Sequence, residues 1–577
     1  MKINSIKNIA MSVSIMLAMT NIAMCSETSI MPLLFFIAGY VFLNYTDRSI
    51  SVQRTDRVLA VFFSLFVTLG NFEKWMGRIW LQGNEKLNIP FNAVLIIIGI
   101  FGLYNIFSRG IGLCYINLKK VNITHDLDIS LKKMYALCCG IFAVFCGIAY
   151  LTYYPGVLSN DSFNQIGQIL GRQPYNNHHP IAHTMLIQIF ISLGSLFSEN
   201  LAVGIALYTL FQNIVTILVL AFIVTMIYKY THNKWVVCAL MIYYILNPVY
   251  VMYAQFMSKD VIFGLCVAVY ILLVWNAVQD EKEFLVINRI GIFVSAIGFC
   301  LLRTNGILAF IIMLPFLFVC FRKFKSVIIC SVSALLLSVV ILGPVYGTFV
   351  SGGPDILESL SIPMQQIART AIEGKVTEEQ KELLSCIIPY EEIEEVYDSD
   401  ISDPIKNLIR KEGDITYLEE NKGEFLKLYL EMGLRNPNTY LFAFVDQTKG
   451  YWYPDVKPYI WNTEMAENGL GIVTKSFFPD IVAKLIDALW KAVTYIPGIG
   501  LLKSIGALTW ILLLQAGYCV RIKEWSKLVF FIPVFANSLT LVCSSPLACS
   551  VRYAYPLFVI FPLLVIIPFL CQKKRDM

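Results

Sequence analysis

Residues 201–228, LAVGIALYTLFQNIVTILVLAFIVTMIY, contain no charged side chain. A helix needs about 20 apolar residues to cross the hydrocarbon core of a bilayer, and this run exceeds that. Only helices and closed barrels satisfy every backbone N–H and C=O in lipid, and a barrel strand needs only about ten residues. The stretch therefore reads as a membrane helix. Runs like it recur along the 577-residue chain, which is 57% hydrophobic and 15% charged. The expected fold class is an all-α polytopic membrane protein.

Working outward, the apolar pattern predicts about 14 transmembrane helices, over roughly 9–25, 30–45, 58–72, 91–107, 134–152, 201–228, 235–253, 261–278, 290–302, 304–320, 326–348, 497–519, 528–545 and 554–571. The basic start Met1–Lys7 and the run to Cys25 also fit a cleaved signal sequence, but a second apolar run follows at once and favours a retained helix. Basic residues in short loops mark the cytoplasm. Such groups lie at Arg48, Arg54 and Arg57; at Arg109, Lys119, Lys120, Lys132 and Lys133; at Lys229 and Lys234; at Arg322, Lys323 and Lys325; and at Arg521, Lys523 and Lys527. A further group, Lys573, Lys574 and Arg575, closes the chain. Fourteen crossings with both termini in the cytoplasm put all of them inside. The same count requires 180–198 to lie along the outer interface, with Pro180 in its first turn. A full crossing there is the competing reading.

Charge divides the chain further. Between Val350 and Thr494 there are 14 Lys and Arg against 25 Asp and Glu, a net of −11, while the remainder is net +16. Long loops translocate largely regardless of charge, so this acidic stretch is expected as a mainly helical extracytoplasmic domain. Within it KVTEEQKELL reads as a helix capped by Thr377, and EEIEEVYDSD as a solvated helix face. The expected domains are four N-terminal spans (1–133), a transmembrane core (134–348), the acidic domain (349–496) and three C-terminal spans (497–577). Most of the fifteen cysteines, among them Cys138, Cys146, Cys266 and Cys300, lie in apolar runs without CxxC spacing. Neither a disulfide framework nor a zinc site is indicated. Nothing supports nucleic-acid binding.

The chemistry is expected in the outer loop 153–200, which opens YYPGVLSNDSFNQIGQILGRQPYNNHHPIAHT and holds Asp161, His178, His179 and His183. Three further polar points share its side: MSKD with Lys259 and Asp260, LLRTNG with Arg303 and Asn305, and SVRYAYP with Arg552, Tyr553 and Tyr555. Cations and carboxylates at one membrane depth suit a substrate with a phosphate head and a lipid tail, since Arg forks onto phosphate and Lys supplies a point charge. Each has a plainer reading. Asp161 would equally cap a helix over 162–170. His178 and His179 would serve as interfacial polar residues, and Arg303 and Arg552 would snorkel to headgroups. Trp452, Tyr453 and Trp461 form either a sugar-stacking platform or an interfacial belt.

The order of these features resembles the GT-C class of membrane glycosyltransferases, such as the protein O-mannosyltransferases and aminoarabinose transferases. Those families carry an Asp in the first outer loop of the core, here Asp161, then interfacial helices beginning near a Pro. A span ending in a short basic loop follows, here IYKYTHNK, then a hairpin with an outer acidic residue, here NPVYVMYAQFMSKD, and later a basic turn, here RTNG. The resemblance covers roughly 134–348 and implies a seven-span core with Asp161 catalytic and Lys259, Asp260 and Arg303 near the donor phosphate. The chain departs from it in its four preceding spans and in Ser162, where several families carry a second acidic residue. The implied activity is inverting transfer of a sugar from a polyprenyl-phosphate donor to a cell-envelope acceptor outside the plasma membrane. His178, His179 and Arg552 are expected to assist. No cofactor is indicated, and a divalent metal is not obligatory because phosphate is already a good leaving group. A secondary transporter or flippase, and a non-catalytic envelope scaffold, are the alternatives from other classes.

Overall fold

The computed structural model describes residues 2–25, 29–72, 85–125, 127–279, 285–351, 355–460, 464–493, 496 and 500–570. These residues are helical, and among them β-structure is confined to isolated bridges. Two compact units are present: residues 1–122 with 510–525, and residues 123–509 with 526–577. The C-terminal stretch expected as one domain, 497–577, is therefore divided between them.

The first unit holds α1 (Lys2–Ile22), α2 (Met31–Ser49), α3 (Arg54–Gly70) and α4 (Glu85–Leu118). Its buried charges are paired, as burial in low dielectric requires. Arg109 was expected in a loop, but it sits within α4, where its guanidinium lies 3.2 Å from Asp47 and 2.8 Å from Asn105. Arg521 similarly meets the fully buried Asp56. An acidic partner at the right depth lets an arginine stay inside a helix that apolarity alone would have ended before it.

The second unit carries α5 (Leu131–Thr152), α6 (Asn160–Ile169), α7 (Ile181–Ser195), α8 (Leu201–Thr231), α9 (Lys234–Leu246), α10 (Pro248–Gln255), α11 (Lys259–Gln279), α12 (Val286–Leu301), α13 (Gly306–Phe321) and α14 (Lys325–Val340). Among the described residues five helices, including α5, α8 and α11, are by length and composition long and apolar enough to cross a membrane. This is the architecture of a helical protein compatible with membrane embedding. The run expected as one span at 235–253 is broken by 51° between α9 and α10. Pro248 cannot donate a backbone hydrogen bond and pushes the residue before it out of helical geometry. Asn247 accordingly takes φ −86°, ψ 107°, and its side-chain oxygen caps the Val249 N–H at 3.2 Å.

The acidic stretch has its own apolar core, built from Leu357, Ile367, Leu384, Ile409, Leu428 and Met432 among others. Its helices include α15 (Ser361–Glu373), α16 (Glu378–Ser385) and α17 (Pro437–Trp452). The Thr377 hydroxyl caps α16 as expected, accepting from Gln380 N–H. EEIEEVYDSD forms a 3-10 turn and then a four-residue helix, shorter than expected, with Ile393 in the core and Glu391, Glu394 and Glu395 exposed as a solvated face requires.

After α18 (Asp480–Val493) the chain enters α19 (Ile505–Arg521), α20 (Ile532–Ser544) and α21 (Tyr555–Ile566). Pro562 lies inside α21, so the carbonyl four residues earlier, at Phe558, loses its helical donor. That carbonyl lies 2.8 Å from the Tyr250 hydroxyl and 3.3 Å from that of Tyr243, and the two hydroxyls are 2.7 Å apart. One hydroxyl donates to the carbonyl and the other to its neighbour. Tyr250→Phe is expected to cost about 1 kcal/mol and the Tyr243→Phe/Tyr250→Phe pair clearly more, since only the pair leaves a buried acceptor unmet. Melting temperatures in detergent check this; equal losses for the single and the pair would contradict it.

Candidate functional site

The backbone brings the Asp161 and Lys259 segments together before any charge is considered. Val157 N–H donates to the Gln255 carbonyl at 2.9 Å, and Met257 N–H returns to the Val157 carbonyl at 2.9 Å. Gly156, at φ +135°, makes the approach possible, because a Cβ there would stand 2.3 Å from Thr209 Oγ1. Ser159, not Asp161, is the N-cap of α6, and Ser162 reciprocates from the third helical position. The Ser162 hydroxyl also donates to the Met257 carbonyl at 2.7 Å. Ser162, the departure from the family pattern, thus fixes Asp161 beside the start of α11.

With its capping role taken by Ser159, the Asp161 carboxylate is free for side-chain partners. It lies 3.2 Å from Arg552 Nη1 and 3.5 Å from Lys259 Nζ. Arg552 Nε is 3.4 Å from Asp260, which is fully buried and also 2.8 Å from Arg303 Nη1. Three cations and two carboxylates form one array with a formal charge of +1. Asp161 is its most open member at 33% exposure, against 12–15% for the cations. Burial pushes the Asp161 carboxyl up, but Arg552 and then Lys259 more than reverse this and hold it well below the usual carboxylate range. Its place in the first turn of α6 also favours the anion.

Tyr553 underlies the array. Its ring stacks beneath Arg303 and Arg552, 4.9 and 4.7 Å from the two guanidinium carbons. Its hydroxyl accepts from Arg552 Nη2 at 2.7 Å and its carbonyl from Arg303 Nη1 at 3.3 Å. Burial, opposed by Arg552, pushes its phenol up to about 12, so it stays neutral. The sequence signal for Tyr553 was there: an aromatic next to an interfacial arginine suits cation–π stacking.

His179 joins through Lys259, whose ammonium donates to His179 Nδ1 at 3.0 Å. The ring proton therefore resides on Nε2, which is buried and has no hydrogen-bond partner among the described residues. Burial, and next the Lys259 charge, lower this imidazole to about 2. His179 is thus neutral when folded, whereas an unfolded histidine takes up a proton below about pH 6.5. Between those values the unfolded state binds more protons, so stability falls as pH falls. Acidification from pH 7 to 5 is expected to cost about 2 kcal/mol through this residue, and His179→Gln should remove that share of the loss. Equal acid losses in wild type and variant, read from melting temperatures, would show that His179 protonates in the folded state.

The remaining expected residues stand apart from the array. His178 stacks edge-on against His179 and is exposed. Its ring nitrogen and carboxylate oxygens of Asp355 and Glu358 lie within 4.8 Å of one another, a metal-like spacing. All four of those oxygens already have partners in Leu357 N–H, Arg410 and Lys406, which explains the cluster as ion pairing. Asn305 donates to Thr540 Oγ1 at 2.7 Å and ties α13 to α20. His183 is fully buried between Gln165, at 3.0 Å, and Tyr208, at 2.7 Å, and belongs to the packing of α7 on α8. Trp452 is buried and donates its indole N–H to Thr448 Oγ1 at 3.1 Å. Tyr453 ends α17 half-buried beside it, and Trp461 lies outside the described residues.

Two segments frame the array, and the sequence marked only the aromatic start of one of them, through Trp461. Residues 545–550, which lead into Arg552, are sewn to the acidic domain: Ser402 N–H donates to the Pro546 carbonyl at 2.9 Å, and Gln447 Nε2 to Ser545 at 3.0 Å. The strap, described over 454–460 and 464–479, touches both sides. Tyr459 N–H donates to the Cys549 carbonyl at 2.7 Å and Ala466 N–H to that of Leu158 at 3.0 Å. Residues 545–550 carry no charge, and the charged residues of the strap, Asp455, Lys457, Glu464, Glu467 and Lys475, form no motif.

No curated protein and no solved structure matches the chain. One protein-family model does, over residues 172–577, a span that holds Lys259, Asp260, Arg303 and Arg552 and begins after Asp161. That match covers more than half of the chain, which therefore belongs to the family described as a family of unknown function, DUF6020.

Proposed function

We propose that this protein is a membrane-embedded glycosyltransferase of GT-C type, moving a sugar from a polyprenyl-phosphate donor to a cell-envelope acceptor outside the plasma membrane. The observation that carries the reading is the Asp161 carboxylate held 3.2 and 3.5 Å from Arg552 and Lys259, at the open edge of a net-positive array. A lipid-linked sugar carries a phosphodiester with one negative charge, which a +1 site complements. The phosphate that departs gains a second charge, and cations already in place stabilise it without reorganising.

The reading gives each residue a role. In the free protein Asp161 neutralises Arg552 and Lys259 and is a weak base. An entering phosphate takes over those cations, the hold on Asp161 relaxes, and its affinity for a proton rises toward what a general base needs. The acceptor hydroxyl then gives its proton to Asp161 as its oxygen attacks the anomeric carbon, and the bond to the phosphate oxygen breaks on the opposite face, with inversion. Arg303 is a positioning residue in this scheme, since its fork is engaged by Asp260 and Tyr553. The His179 Nε2–H is a neutral donor suited to a phosphate or hydroxyl oxygen. The reading retains about 14 crossings with cytoplasmic termini, a seven-span core over 134–348 and an in-plane α7. At 15 residues α7 is roughly 22 Å long, short of the roughly 30 Å core.

One observation favours a second reading. The break between α9 and α10 is the kind of discontinuous helix on which secondary transporters build substrate sites. Transfer from a polyprenyl-phosphate sugar by purified protein in liposomes separates the two. Product formation that depends on Asp161 supports the transferase; movement of the lipid-linked sugar between leaflets, with no product, supports the transporter or flippase.

A further inference from the structure

The strap that spans the site ends in α18, DIVAKLIDALWKAV, and this helix has an unusual surface. None of its residues is buried. At about 100° per residue its side chains sort into three sectors. Ile486, Asp487 and Trp490 turn toward the protein and are partly covered. Ile481, Val482, Leu485 and Leu489 form an exposed apolar sector, at 79, 37, 59 and 57% exposure. Asp480, Lys484 and Lys491 form an exposed polar sector on the other side.

The helix is fastened at one end of a membrane-length helix. Asp487 accepts from the Tyr153 hydroxyl at 3.0 Å, just past the end of α5. Phe477 N–H donates to the Leu151 carbonyl at 2.9 Å and Lys475 N–H to that of Tyr154 at 2.6 Å, so the approach to α18 is tied to the same turn. α18 also packs on α10. The outward residues of α5, Leu137, Val144 and Leu151, are 54, 58 and 39% exposed, and Phe477, bonded to Leu151 and three residues before α18, is exposed as well. At 14 residues, roughly 21 Å, the helix is too short to cross a bilayer.

We propose that α18 lies in the plane of the bilayer–water interface beside the end of α5, with Ile481, Val482, Leu485 and Leu489 among the acyl chains and Lys484 and Lys491 in water. Its occupant is lipid rather than protein for three reasons. The apolar sector is tied beside the end of a membrane-length helix whose own outward face is apolar and exposed. The exposed polar sector stands at its flank, where an in-plane helix meets water. Its two lysines and two aspartates leave the helix neutral, so anchoring is by apolar burial and not by attraction to acidic lipid. In that position α18 fixes at the membrane surface the strap that bonds Leu158, three residues before Asp161, and Cys549, three before Arg552.

The test uses the full chain in its own membrane, with a benzophenone-bearing amino acid placed singly at Leu485, Leu489, Lys484 or Val144 and irradiated. Phospholipid adducts at Leu485 and Leu489 are expected at yields comparable to Val144 and at least about tenfold above Lys484, the contrast an in-plane helix imposes between acyl and aqueous faces. Adducts from Leu485 or Leu489 to a second copy of this chain or to another protein, or lipid yields no higher than at Lys484, overturn the proposal. The readout involves no sugar transfer and stands or falls independently of the enzymatic reading.

Discussion

Asp161→Asn is expected to slow transfer about 10²- to 10⁴-fold, the range for loss of a positioned base, and at the same time to bind polyprenyl phosphate more tightly. The second half follows from the array. On the proposed reading the carboxylate and the phosphate compete for Arg552 and Lys259, which stand 3.2 and 3.5 Å from Asp161. Removing one like charge from so partly exposed a site is worth on the order of 1.4 kcal/mol, about tenfold in affinity. Folding should survive, because Ser159 caps α6 and the amide keeps the shape and hydrogen-bonding reach of the acid. Single-turnover transfer and equilibrium binding of the bare lipid phosphate check the two halves separately. Wild-type turnover would remove the catalytic role. Lost turnover with unchanged affinity would keep that role and remove the competition for cations.

Much of this was legible before any coordinates, and what was not has identifiable causes. Uncharged runs such as 201–228 announce helices in lipid because backbone hydrogen bonding leaves few other options. The topology expected from the sequence put the four charged points on one side, which is why Asp161 and Arg552, 391 residues apart, could be expected in one place. Pairings within the group were not legible. Arg303 looked like a phosphate clamp, yet Asp260 and Tyr553 hold it, a choice set by ångström-scale distances that spacing along the chain does not encode. Ser162 looked like a missing carboxylate and proved to be the contact that docks α6 on Met257. Arg109 and Asn247 failed in opposite senses. A partner let the charge stay in a helix, and a proline broke an otherwise apolar run. His179 needed the third dimension altogether, since its neutral state follows from burial beside Lys259.

Arg552 is the residue whose loss should be felt most widely. Its guanidinium touches Asp161, Asp260 and the Tyr553 hydroxyl, at 3.2, 3.4 and 2.7 Å. Arg552→Ala would leave two carboxylates near one another with one cation fewer, and Asp260 has no exposure through which water could compensate. Breaking a buried ion pair from one side costs about 3–5 kcal/mol, so a marked drop in melting temperature is expected along with loss of transfer. A purely structural role would predict the same, and Arg552→Lys separates the two. It keeps the charge and should recover most of the stability, but a single ammonium cannot bridge both carboxylates or stack on Tyr553. Transfer should therefore remain impaired while the melting temperature returns. The double variant Arg552→Ala/Asp161→Asn adds the coupling. Removing the Asp161 charge relieves part of what the alanine exposed, so the double variant should be more stable than the two single losses added together. Strict additivity would mean that the 3.2 Å contact between Arg552 and Asp161 carries no energy in the folded protein. The array would then be a set of neighbours rather than a site.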